Sequence, residues 1–137
     1  METKIYILII LLIKMKKVIL DSSFILTCVK QKIDFFEEIK LMGISIIIPE
    51  QVIEEIKKVA DSKKKLHFRE DAKLALKIIR KNKFKKIDLK SKYVDTGLIA
   101  FSQKNKDVLI ATLDSELKRK IKSNKLVIRE KKRLEVL

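Results

Sequence analysis

No tryptophan, one proline, one cysteine, one histidine and two glycines occur in this chain, and each shortage narrows what it can be. A lone Cys28 excludes a disulfide framework within the chain and any cysteine-based zinc cluster. It lies in the apolar run from Phe24 to Val29, where a buried core thiol is the ordinary reading. The one histidine, His67, stands in a lysine-rich stretch and reads as a surface residue. Ser-His-Asp and Cys-His chemistry are therefore poorly supported. Six phenylalanines and two tyrosines are too few for an extensive base-stacking platform. There is no internal repeat and no low-complexity linker.

What the chain does have is apolar content and positive charge. Its 137 residues fit one domain, and 47% hydrophobic residues are enough to build a core. The net charge of +15 favours a polyanionic partner, nucleic acid first and an anionic membrane surface second. Against that stands the plainer reading, lysines spread over solvated faces. Residues Ile5 to Ile13 form a continuous apolar run between Lys4 and Lys14. A transmembrane helix needs about 20 such residues, so this run is too short to span a bilayer. Glu2 ahead of it and the basic residues after it do not make a signal peptide. Residues 1–15 are treated as an extension, either an extra element packed on the domain, an interfacial anchor or a consequence of start-codon choice, with Met15 the alternative start. Membrane association is disfavoured, and the cytoplasm is the default location.

From residue 16 to 137 the pattern alternates strand and helix. Lys17–Leu20 reads as a short buried strand ending at Asp21. Residues 22–42 read as helical with a break near residues 30–32, and Gly43 as the helix stop. Ile44–Ile48 is a β-branched strand closed by Pro49. Val52, Ile53, Ile56, Val59 and Ala60 recur at helical spacing, as do Ala72, Ala75, Leu76 and Ile79. A short strand is expected at Ile87–Leu89, a helix over 95–103, a strand at Val108–Thr112, a helix over 115–122 and a last strand at Leu126–Arg129. This alternation implies an α/β fold, a three-layer α/β/α sandwich around a mainly parallel five-stranded sheet. Ligands of such sheets bind outside the carboxyl ends of the strands.

Four acids can meet there. Asp21 closes the first strand, Glu55 follows the second by about a turn of helix, Asp95 opens the helix before the fourth, and Asp114 follows that strand by two residues. Gathered carboxylates repel one another and raise their own pKa values. A bound Mg²⁺ or Mn²⁺, hard ions that prefer oxygen, removes the penalty. The same ion can activate water for attack on a phosphodiester. The competing reading is that Asp21, Asp95 and Asp114 are helix N-caps and that Glu55 is one helical glutamate among several, with Glu54 its equal by composition.

The segments Val18–Ser23, Pro49–Ile56, Tyr93–Ala100 and Ile110–Leu117 stand in the order and spacing of PIN domains, and the chain from about residue 16 onward resembles that family. The Thr-x-Asp-x-x-Leu piece at Thr112 to Leu117 is the most telling. The resemblance implies a metal-dependent ribonuclease whose catalytic set is Asp21, Glu55, Asp95 and Asp114. Asp21, Asp95 and Asp114 would be the metal ligands, and Ser22 and Thr112 supporting hydroxyls. Glu55 fits better than Glu54 because an Ile follows it. Two positions depart from the pattern: Thr96, where many members carry a second acid or a small residue, and Gly97, which costs about 1 kcal/mol of helix propensity relative to alanine. The tail Leu126–Arg129 with Lys131 and Lys132 resembles archaeal members.

The expected function is thus an endoribonuclease using Mg²⁺ or Mn²⁺. Lys63, Lys64, Lys65, Lys83, Lys85 and Lys86 are the candidate contacts to the RNA backbone. Similarity to VapC-type members implies a toxin with an antitoxin protein as partner, whereas the tail favours RNA maturation, and a homodimer is expected in either case. The alternative is a non-catalytic RNA-binding or ribosome-assembly module that keeps the fold.

Overall fold

In the computed structural model, residues 2–14, 17–130 and 133–137 are described. Met15, the alternative start, and Lys131 and Lys132 of the basic tail lie outside them. The elements in order are α1 (Glu2–Lys14), β1 (Lys17–Leu20), α2 (Ser22–Lys30), α3 (Phe35–Leu41), β2 (Ser45–Pro49), α4 (Glu50–Ala60), α5 (Leu66–Lys81), β3 (Lys85–Ile87), α6 (Val94–Lys104), β4 (Val108–Ala111), α7 (Ser115–Lys120), β5 (Leu126–Arg129) and β6 (Arg133–Val136).

Four strands form a parallel sheet in the order β3-β2-β1-β4. The central strand β1 carries Val18, Ile19 and Leu20, all fully buried, and β4 is buried along its length. Continuous apolar strands of this kind are what a parallel sheet covered on both faces requires. The helices α2, α4 and α5 pack on one another, and α6 packs against α7. Each α/β connection returns the chain to the same end of the sheet. All four strands therefore point their carboxyl ends one way.

Helices α2 and α3 close with the same device. Ile33 N–H donates to Cys28 O and Lys32 N–H to Val29 O, while Ile44 N–H donates to Ile39 O and Gly43 N–H to Lys40 O. These are paired Schellman bonds, with Lys32 (φ 60°) and Gly43 (φ 74°) in the left-handed region. The residues that follow, Ile33 and Ile44, are buried. The expected stop at Gly43 and break at residues 30–32 thus share one cause, an apolar residue drawn back into the core just after each helix.

The sequence-based expectation of five sheet strands is corrected to four. β5 pairs antiparallel with β6, a strand the sequence pattern does not announce. The hairpin is bonded to the sheet by the parallel bridge Ile110–Lys125 and the bond from Ile110 N–H to Asn124 O, and its Leu126 and Leu134 join the shared core. The third strand falls at Lys85–Ile87, two residues before its expected place. The apolar run at residues 5–13 lies within helix α1, on which Ile5, Tyr6, Ile7, Leu8 and Ile9 are exposed. Among the described residues no helix is long and apolar enough to cross a membrane.

Candidate active site at the carboxyl ends of the strands

Register decides the centre of the site. In the β1–β4 pairing Leu20 stands beside Ala111, and Asp21 N–H extends the ladder to Ala111 O at 2.9 Å. The next residues on the two chains, Asp21 and Thr112, are therefore neighbours. Thr112 Oγ1 donates to Asp21 Oδ2 at 2.7 Å, Ser23 Oγ donates to the same oxygen at 3.0 Å, and Ser22 N–H donates to Asp21 Oδ1 at 2.8 Å. Asp21 is only 5% exposed and Thr112 only 1%. A buried carboxylate needs such donors to remain charged. Each hydroxyl has one proton. With both given to Asp21, the 3.2 Å approach of Ser23 Oγ to Thr112 Oγ1 is a contact and not a further bond.

Both hydroxyls also accept. Leu113 N–H donates to Ser23 Oγ at 3.0 Å and Asp114 N–H to Thr112 Oγ1 at 3.2 Å. The turn carrying Asp114 is thereby tied to the residues that hold Asp21. Asp114 then caps α7, its Oδ1 accepting from Glu116 N–H and Leu117 N–H. Among the described residues its Oδ2 has no protein donor. Asp114 can be cap and ligand at once.

Asp95 answers the capping question differently. Helix α6 begins at Val94 with Tyr93 as its cap, and no side chain makes the cap bond. The Asp95 carboxylate sits exposed in the first turn, where the helix dipole favours negative charge, and is not used for capping. Glu55 projects from α4 and accepts a 3.0 Å bond from Ser22 Oγ. Glu54 instead pairs with Lys57 at 3.2 Å on the exposed face.

Electrostatics joins the four acids. The Glu55 carboxyl is held above the usual carboxylate range, first by desolvation and then by the charges of Asp21 and Asp95, against the opposing effects of the Ser22 bond and Lys58. Asp95 is raised as well, by desolvation and by the charges of Asp21, Asp114 and Glu116, with Lys120 opposing. Side chains that perturb one another this way lie within electrostatic reach of one another. Among the described residues, no three acidic, histidine or cysteine side chains are already gathered within reach of a single ion. The donor set nevertheless fits a hard divalent cation: it is all oxygen, carries excess negative charge, and includes the buried, rigidly held Asp21, the exposed Glu55 and Asp114 each held through one oxygen, and the exposed Asp95.

Sequence reasoning assigned the supporting role to Ser22 and Thr112. The structure brings both to the acids, Thr112 to Asp21 and Ser22 to Glu55. It adds Ser23, which touches Asp21 and the Leu113 amide, and a fifth acid, Glu116. The Ser22-Ser23 doublet was the available signal. Nothing local marked Glu116, whose charge reaches Asp95 only through the fold. The basic charges acting on the acids are those of Lys58 and Lys120. Lys63, Lys64 and Lys65 lie in and beside the turn between α4 and α5. Lys83 and Lys85 line a groove beside Ser45, where β2 begins, and Lys86 follows on β3. Lys85 pairs with Ile47, which pairs with Ile19, so it stands midway along the sheet on the edge strand.

Comparisons with known proteins agree with the fold. A family model described as PIN like domain matches residues 18–133. Ribonuclease VapC4 of Methanocaldococcus jannaschii is 29% identical over 128 residues, spanning 89% of this chain and 97% of that protein. The solved structure of the PIN domain endonuclease Utp24 superposes with a TM-score of 0.71 at 27% identity, covering 88% of this chain and 92% of the other. Helix α1 precedes the stretch that the family model matches.

Proposed function

The chain belongs to the PIN-like domain family, and on that premise we propose that it is a divalent-metal-dependent endoribonuclease. The observation that carries this reading is the buried Asp21, held by three donors at the carboxyl end of β1, with its charge acting on both Glu55 and Asp95, and that of Asp114 on Asp95. The two named relatives, a ribonuclease and an endonuclease, support RNA as substrate and internal cleavage as the reaction.

Asp21, Asp95 and Asp114 would hold Mg²⁺ or Mn²⁺, with Glu55 binding directly or through water. When bound, the ion supplies Lewis acidity toward a phosphate oxygen and lowers the pKa of a water. The chain's own residues do the rest. Thr112 and Ser23 fix the rotamer of Asp21, so one ligand is placed before any ion arrives. Ser22 orients Glu55 through its 3.0 Å bond to the carboxylate. Lys58 and Lys120, the cations acting on the acids, would meet an approaching phosphate backbone, Lys120 exchanging its 3.3 Å pair with Glu116 for the phosphate. The contact they make is not base-specific and weakens with salt.

The likeness to a VapC ribonuclease favours a toxin-type nuclease, with an antitoxin protein and a second copy of the chain as partners. A binding module without activity is disfavoured because all four acids are present, with Asp21 acting on both Glu55 and Asp95. The test is cleavage of RNA by purified protein with Mn²⁺, with EDTA and as Asp95→Asn. Cleavage that needs the ion and is lost in the variant is expected. RNA binding without metal uptake or cleavage would overturn the nuclease reading.

A further inference from the structure

Of the two tyrosines in the chain, Tyr6 precedes the stretch that the family model matches, and Tyr93 stands at the head of α6, two residues before Asp95. Residues two apart have Cα atoms separated by at most about 7.6 Å, so the ring is rooted at the edge of the acidic site. It is 64% exposed, although burying an aromatic ring is among the larger stabilising steps open to a chain. The backbone beneath it is fixed. The Tyr93 carbonyl accepts from Gly97 N–H at 3.0 Å and from Ser91 Oγ at 2.9 Å, and the next residue, Val94, is buried. Lys92 Nζ lies 5.6 Å from the ring centroid, within cation–π range. Leu113, between Thr112 and Asp114, is exposed as well, and its amide is bonded to Ser23. Tyr93 and Leu113 thus present apolar surface to solvent within two residues of Asp95 and Asp114.

We propose that Tyr93 stacks on one unpaired base of an RNA and so seats the phosphate of that nucleotide beside the acids. The proposal takes its ligand from the nuclease reading and adds the residue that positions it. A ring on a fixed backbone loses little freedom when a base lies on it, because a tyrosine has only two side-chain torsions to settle. With Lys92 over one face, the other face takes the base, and the ammonium is at hand for a flanking phosphate. The span from Tyr93 to Asp95 is of the size of one nucleotide, so a base on the ring brings its own phosphate to the acids. Every base has a π-face, so the stack tolerates any sequence. It does not tolerate a duplex, whose bases are already stacked and paired. A protein partner suits the place less well. Ser91, Lys92, Asp95 and Thr96 around the ring are polar, and one ring among them is not the contiguous apolar patch that such an interface uses.

The test reads binding apart from cleavage. With no tryptophan in the chain, Tyr6→Phe leaves Tyr93 as the one strong intrinsic fluorophore. This protein, in EDTA, is titrated with oligouridine of about eight nucleotides. Tyrosine emission should fall to a plateau as the base stacks, and an abasic ribose-phosphate oligomer should leave it unchanged. By anisotropy of labelled oligouridine, Tyr93→Ala should bind about 5- to 100-fold more weakly than wild type, and Tyr93→Phe should restore the affinity. The salt dependence should keep its slope in Tyr93→Ala, since no charge is lost, and become shallower in Lys120→Gln. The side chain of Tyr93 makes no cap bond and is exposed, so both variants retain the fold. Quenching by the abasic oligomer equal to that by oligouridine, or alanine and phenylalanine variants of equal affinity, would overturn the proposal. An RNA that wild type cleaves with Mn²⁺ but that leaves Tyr93 emission unchanged sinks the stack alone. An RNA that stacks but is never cleaved sinks the nuclease reading alone, and no binding of any RNA sinks both.

Discussion

Thr112 and Asp21, 91 residues apart in the chain, are joined by a 2.7 Å hydrogen bond at the carboxyl ends of adjacent parallel strands. The bond sits in nearly dry surroundings, where a donor to a carboxylate contributes more than in water, about 1.5–3 kcal/mol. Thr112→Val should therefore destabilise the protein by about 1–3 kcal/mol and weaken Mn²⁺ uptake. Thr112→Ser should restore metal affinity while losing only the methyl contact. Denaturant melts paired with metal titrations separate the two effects. Equal metal affinity in Val and Ser variants would show that the hydroxyl does not position Asp21.

Mutual repulsion has its own signature. Because Glu55 is raised above the ordinary carboxylate range, its ionised form disfavours the folded state. That penalty is present above the folded pKa and relieved as pH falls through it. Glu55→Gln at neutral pH should accordingly raise the melting temperature of the metal-free protein by about 1–2 °C, a modest figure because the group is largely exposed. The same variant should gain less from added Mn²⁺ than the wild type does. Differential scanning fluorimetry with and without the ion reads both. A lower metal-free melting temperature would contradict the repulsion.

Asp88 behaves in the opposite sense. Its Oδ1 accepts from Lys90 N–H at 2.7 Å and from Gln51 Nε2, and these bonds hold its pKa below the usual value. Gln51 Oε1 also accepts from Leu89 N–H at 3.1 Å, so the loop before α6 is clipped to α4. The stabilisation is present above the ordinary Asp pKa and lost as pH falls through the depressed folded value. Asp88→Ala should be less stable than wild type at neutral pH, with the gap narrowing on acidification below the ordinary range. Urea melts over a pH series would show it. A gap that stays constant with pH would mean that Asp88 acts only through packing.

Gly97 explains a departure that helix propensity alone makes puzzling. A methyl at this position would lie 2.9 Å from Leu89 Cβ and 3.1 Å from Ser91 Cβ. The clipped loop therefore passes against α6 two residues after Asp95, and only glycine leaves room. Gly97→Ala should cost about 1–3 kcal/mol through this overpacking, although alanine is the better helix former. RNA cleavage should fall more than stability explains, because α6 carries Asp95. An alanine variant as stable as wild type would show that the loop yields.

The sequence by itself determined the alternation of strands and helices, the helix stop at Gly43 and the placing of three acids just after strands or at helix starts. These rest on local physics: periodicity, caps and the φ that each residue tolerates. The four acids could be proposed as a set because a parallel sheet sends every strand end the same way. Tertiary structure alone decided what each group does there. Register made Thr112 the neighbour of Asp21, divided Ser22 and Ser23 between Glu55 and Asp21, and brought Glu116 and Lys120 within electrostatic reach of Asp95. It also turned Leu126–Arg129 away into a hairpin with β6, since an apolar run does not specify which edge it will pair with. The lysines show the same limit. A run of positive charge reads alike anywhere in a sequence, but its field acts only across the few ångströms that folding assigns to it.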